Sequence, residues 1–140
     1  MSGSNEVSGA DAGIAALASG DEDTIVPIFK AYTVSATAWL VFATFVGLTV
    51  ALKFPYPDLL TAPEFSFGRL RAIHTNDTFF AWAAPALLGL AMFVAARSCG
   101  VRLYSVRLAW ISLALINLAA VCGTIAIDAG YNDGDQEYRE

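Results

Sequence analysis

Hydrophobic and polar positions alternate along this chain in long blocks rather than at a strand or surface-helix period. Three apolar runs stand out, at about 31–52, 75–96 and 108–127. Each is close to the roughly 20 residues that carry a helix across a hydrocarbon core of about 30 Å. Lys30 and Lys53 bracket the first run, Arg97 closes the second, and Arg107 and Asp128 bound the third. With no water in a bilayer core, every backbone amide must find its partner within the segment, so the pattern predicts three transmembrane helices rather than open strands. Pro85 falls inside the second run, where neighbouring helices can cover the carbonyl it frees.

The connections are short. Residues 54–73 contain Pro55, Pro57 and Pro63 and cannot be one continuous helix. Residues 97–107 carry Arg97, Arg102 and Arg107 and no acid, which predicts a cytoplasmic loop and a cytoplasmic amino terminus. Lys30 joins that side, whereas Lys53, Arg69, Arg71 and Arg139 fall on the other. The bias therefore depends on Arg69 and Arg71 being kept for a ligand rather than for topology.

Composition agrees with this all-α membrane reading. Hydrophobic residues make up 56% of the 140, above the roughly 45–50% of soluble domains, and charged residues 15%, below their roughly 25%. The net charge of −5 gathers at the two ends. No basic stripe exists, which excludes a nucleic-acid binder. Residues 1–24 are rich in Ser, Gly, Ala and acids and lack the basic start and apolar core of a secretory signal; they predict a disordered acidic tail ahead of a three-helix unit at 25–140. Cys99 and Cys122 form neither a CxxC pair nor a haem-attachment motif. One histidine without a nearby nucleophile makes no hydrolytic triad.

That histidine, His74, lies in FGRLRAIHTND at the mouth of the second span. Arg71 stands three residues before it, on the same face if the helix begins by Leu70. Thr78 and Ala81 would continue the face, and with Ala83, Ala84, Ala86 and Gly89 would leave a flat slot walled by Phe79, Phe80 and Trp82. Imidazole is the common protein ligand of haem iron, and an arginine fork suits propionate carboxylates. Against this stands an interfacial histidine with snorkelling arginines and small residues that merely pack helices. Spacing alone leaves both readings open.

The pattern Phe67-Gly68-Arg69-Leu70-Arg71-x-x-His74-Thr75 resembles the start of the second helix in subunit I of the haem–copper oxidase superfamily, above all the cbb-type cytochrome oxidases and the related nitric oxide reductases. Gly130-Tyr131-x-x-Gly134 followed by Glu137-Tyr138-x-Glu140 is similar to the family segment after the third helix. The resemblance implies that His74 is an axial ligand of a low-spin haem b and that Arg71 lies near its propionates. It also implies that Glu137 and Glu140 sit beside a calcium ion, for which carboxylate oxygen is a suitable ligand. Ala72 stands where the family commonly has proline, and Asp135-Gln136 make the spacing before Glu137 one residue longer than usual.

The family's subunit continues well beyond a third helix, and its remaining histidine ligands lie there. The resemblance thus implies an amino-terminal part of a split subunit I, not catalytic alone. A second chain would carry the remaining helices with the copper or non-haem iron of an oxygen- or NO-reducing centre, and a c-type cytochrome would donate electrons. A prokaryotic inner-membrane location follows. Two other arrangements remain open at this point: a homodimeric haem carrier in which two His74 rings sandwich one iron across a two-fold axis, and a non-catalytic accessory subunit.

Overall fold

The computed structural model describes residues 3–100 and 102–131, with side chains from Thr24 onward. The first helix, α1, spans Gly3–Leu52. Its backbone is therefore helical through the stretch whose composition predicts a tail. A single 3-10 turn, Pro63–Phe65, interrupts the following loop. Helix α2 (Phe67–Asn76) leads into a π-helical segment, Asp77–Ala83, and on into α3 (Ala84–Cys99) without a break. Helix α4 covers Val106–Asp128.

Three stretches are long and apolar enough to cross a membrane: Thr24–Leu52, Phe67–Cys99 and Val106–Asp128. At 1.5 Å per residue they reach about 43, 50 and 35 Å, each beyond a hydrocarbon core of about 30 Å. The chain is an all-α, multi-pass membrane protein.

Local chemistry sets the ends of these helices. Ser66 accepts the Arg69 amide at 3.4 Å and caps α2, which is why the second span starts near Phe67 rather than at residue 75. Ser105 does the same for α4 through the Leu108 amide at 3.3 Å. Gly100, at φ 60°, takes the left-handed conformation that terminates α3. The π segment prepares for Pro85. A proline ring collides with the carbonyl four residues back and offers no amide hydrogen. Widening the turn resolves both problems, and the Ala84 amide reaches back five residues to Phe79.

Helix α1 packs along α2, the π segment and α3 in turn, and α4 crosses α2 and the π segment while touching α1. Small residues let the backbones approach: Ala36, Ala43, Ala72, Ala81, Ala96, Ala109 and Ala120 are all buried. At Gly89 a β-carbon would lie 2.6 Å from Tyr32 Cβ, so α3 meets α1 there only because the side chain is missing. Ile28, Tyr32, Ala109 and Leu113 form the core near the other end of the bundle from His74.

Polar side chains tie α1 to α4. The Tyr32 hydroxyl donates to the Ala109 carbonyl at 2.8 Å. Ser35 Oγ and Trp39 Nε1 both donate to Asn117 Oδ1 at 2.9 Å, and Asn117 Nδ2 donates to the Leu113 carbonyl at 2.9 Å. Each bond answers a donor or acceptor that hydrocarbon could not satisfy.

Candidate functional site

His74 sits seven residues into α2, about 10 Å from its start. Its ring faces α1. Nδ1 lies 2.8 Å from the Ala43 carbonyl oxygen. A carbonyl only accepts, so Nδ1 carries the proton and donates it; in the neutral ring the lone pair then belongs to Nε2. Gly47, one turn further along α1, makes the space: a β-carbon there would stand 2.6 Å from Cε1, 2.8 Å from Nδ1 and 3.1 Å from Nε2. Among the described residues Nε2 has no hydrogen-bond partner, yet no buried side-chain nitrogen or oxygen lacks one. Nε2 is therefore open to the outside of this half-buried ring.

Arg71 is one turn nearer the aqueous loop, on the same face and exposed. Regular α-helix from Phe67 supplies the shared face that the spacing required. The slot expected to run on from His74 does not form. Ala81 is fully buried between helices, Gly89 is filled by Tyr32, and Phe79 and Phe80 project outward, 62% and 64% exposed. The i+4 and i+7 rule assumes 3.6 residues per turn, and the π segment beginning at Asp77 breaks that register.

Two further residues of the same motif have roles that spacing did not reveal. Arg69 Nη1 donates to the Asp128 carbonyl at 2.9 Å, placing a cation on the carboxyl end of α4. That end closes in a Schellman turn, with the Tyr131 amide on the Ala126 carbonyl and the Gly130 amide on the Ile127 carbonyl, both at 2.9 Å. Gly130 adopts φ 92°, and a β-carbon on it would meet Arg69 Nη2 at 2.8 Å. The motif around His74 and the segment that starts at Gly130 thus meet at one end of the bundle. Glu137 and Glu140 lie outside the described residues.

Asp77 is the second. It is fully buried and accepts from Thr124 Oγ1 at 3.0 and 3.1 Å, joining the π segment to α4. A carboxylate inside an apolar span is expensive and ordinarily functional. That rule, applied to the run at 75–96, would have singled it out. On the far side of Thr124, a cavity of about 360 Å³ opens between α1 and α4, lined by Ser35, Trp39, Phe42, Asn117, Thr124 and Ile125 among others.

Residues 27–140 match the family described as Cytochrome C and Quinol oxidase polypeptide I. The chain is 37% identical over 110 residues to a cytochrome c oxidase subunit 1 homolog of Agrobacterium tumefaciens (strain T37), which covers 78% of this chain and 20% of the relative. It is 26% identical over 114 residues to the Cbb3-type cytochrome c oxidase subunit CcoN1 of Stutzerimonas stutzeri, covering 81% of this chain and 24% of that one. A cytochrome c oxidase subunit 1 homolog of Azorhizobium caulinodans is 30% identical over 112 residues, 79% of this chain and 20% of its own. The chain therefore spans between a fifth and a quarter of the length of these relatives. No solved structure matches it. With three apolar spans and a match over residues 27–140, the chain is a multi-pass prokaryotic membrane protein that belongs to the cytochrome c and quinol oxidase polypeptide I family.

Proposed function

We propose that this chain provides the first three helices of an oxidase-type subunit I, and that His74 Nε2 is one axial ligand of a low-spin haem b. The second axial ligand and the copper or non-haem iron centre are supplied by helices beyond these three. The observation that carries the reading is the bond from Nδ1 to the Ala43 carbonyl. Metal-bound histidines characteristically donate their other ring nitrogen to such an acceptor, which fixes the tautomer and aims the lone pair.

Haem, when bound, supplies a reversible one-electron carrier. The chain's own contribution is to hold it. In its neutral form His74 presents an unprotonated Nε2, and the bond from Nδ1 to the Ala43 carbonyl of α1 stops the ring from turning. Arg71, one turn toward the loop, offers a planar fork of donors to propionate carboxylates. Glu137 and Glu140 complete the proposal as oxygen ligands for a calcium ion near those propionates. A c-type cytochrome would deliver electrons from the side away from the basic loop. Whether oxygen or nitric oxide receives them is decided by helices beyond these three.

The test is a spectrum of the assembled complex. Assembled with the helices that carry the second ligand, the wild-type chain should yield a low-spin bis-histidine haem, and the three helices purified alone should bind little haem. His74→Ala should abolish the low-spin signal. An unaltered cofactor spectrum in that variant would overturn the proposal and leave a membrane scaffold.

A further inference from the structure

An imidazole turns about two side-chain bonds, so a histidine that faces open space samples several directions and two neutral tautomers. His74 is denied both freedoms by a single turn of α1. Ala43 and Gly47 are four residues apart, one above the other. The Ala43 carbonyl uses one lone pair within its helix and gives the other to His74 Nδ1–H at 2.8 Å. Gly47 supplies the floor, a backbone without a side chain against which the ring lies. The separations of 2.6, 2.8 and 3.1 Å from the site of an absent β-carbon to Cε1, Nδ1 and Nε2 leave no room for even a methyl group. A side chain at 47 must push the ring and α1 apart, which strains the bond to Ala43.

We infer that the Ala43 carbonyl and Gly47 form a seat that sets both the direction and the donor strength of His74 toward the iron, with Gly47 a positioning residue. This rests on the haem reading above and adds the device that tunes it. Donation from Nδ1–H shifts electron density toward Nε2 and makes it a more basic ligand. A more basic axial ligand favours the oxidised metal, so the seat lowers the reduction potential of the haem it holds. Gly47 then matters for a property of the cofactor and not only for helix packing.

Two measurements test the inference. His74 is the chain's one histidine, so labelling this chain with ¹⁵N-histidine gives a single imidazole whose protonated nitrogen can be read by NMR without any cofactor. At neutral pH the wild-type chain should show the proton on Nδ1. Gly47→Ala should lose that tautomer as the dominant form. Gly89→Ala is the matched control, since its new methyl would press on Tyr32 Cβ at 2.6 Å, away from His74; it should keep the wild-type tautomer.

In the assembled complex, the haem of Gly47→Ala should show an upward-shifted midpoint potential and an altered low-spin EPR g-value. Gly89→Ala should leave both unchanged for whatever complex assembles. A proton on Nε2 in the wild type, or an Nδ1–H tautomer and haem potential that survive Gly47→Ala intact, would overturn the inference. Equal shifts from Gly89→Ala would do so too. If Gly47→Ala prevents assembly, the labelled chain decides alone. Loss of the haem reading is recognised separately, by a spectrum indifferent to His74→Ala.

Discussion

At the scale of single residues, the polar groups of this bundle are paired asymmetrically. Asp77 is fully buried, and the Thr124 hydroxyl is its donor from α4. Thr124 has an alternative, because its hydroxyl also lies 2.9 Å from the Ala120 carbonyl. Removing the hydroxyl should therefore hurt more than neutralising the acid. Thr124→Val leaves the buried Asp77 carboxyl with only its Asn76 side-chain hydrogen bond, at about 1–3 kcal/mol, whereas Asp77→Asn retains an acceptor for the same hydroxyl and should cost less. Thr124→Ser, which keeps the donor, should recover most of the loss. Unfolding midpoints in mixed detergent micelles check the order, and equal losses for valine and serine would refute the hydrogen-bond account. His74 could be picked out from sequence because it is unique and lies beside Arg71. Its seat could not. Ala43 and Gly47 precede it by about thirty positions, and an alanine or glycine in an apolar run looks like any other small packing residue until two helices are docked.

At the scale of elements, the three spans were legible because length and hydropathy settle what a bilayer requires. Their ends were less so. The sequence reading began the second span at residue 75, since Arg69, Arg71 and His74 dilute the apolar pattern there. The Ser66 cap and the docking of Arg69 on α4 extend the helix to Phe67. The π segment was invisible for a different reason: spacing arguments assume a constant turn, and Pro85 changes it. Between α1 and α4 the decisive contact is the convergence of Ser35 and Trp39 on Asn117. Loss of the shared acceptor in Asn117→Leu should weaken the helix pair by about 0.6–2 kcal/mol. Ser35 can turn to a carbonyl of its own helix, as Thr33, Thr37 and Thr44 already do. The Trp39 indole can only donate and has a fixed direction. The coupling should accordingly reside in the Trp39–Asn117 pair. Trp39→Phe added to Asn117→Leu should then cost little more than Asn117→Leu alone, a result a double-mutant cycle reads directly.

At the scale of the whole molecule, the question is which face of the membrane the His74 end occupies. Three antiparallel spans put the start of α2 and the end of α4 together, as the Arg69–Asp128 contact shows, and put the α3–α4 loop at the opposite end. Arg97, Arg102 and Arg107 gather at that loop, and Arg97 lies over Phe93, which stacks on Phe29 of α1. Basic residues resist translocation, so we propose that this end is cytoplasmic and that the haem ligand faces outward, where a c-type cytochrome would dock. Cys99 makes the proposal testable without new cysteines. It is exposed at the last turn of α3, beside the loop, whereas Cys122, also exposed, lies six residues before the carboxyl end of α4, at the opposite end of the bundle. In a Cys122→Ser background, a membrane-impermeant maleimide should label Cys99 in inside-out vesicles and spare it in right-side-out ones. The reverse pattern would place His74 on the cytoplasmic side. The basic loop would then have crossed the membrane against its charge, and the electron donor would have to be sought among cytoplasmic or membrane carriers.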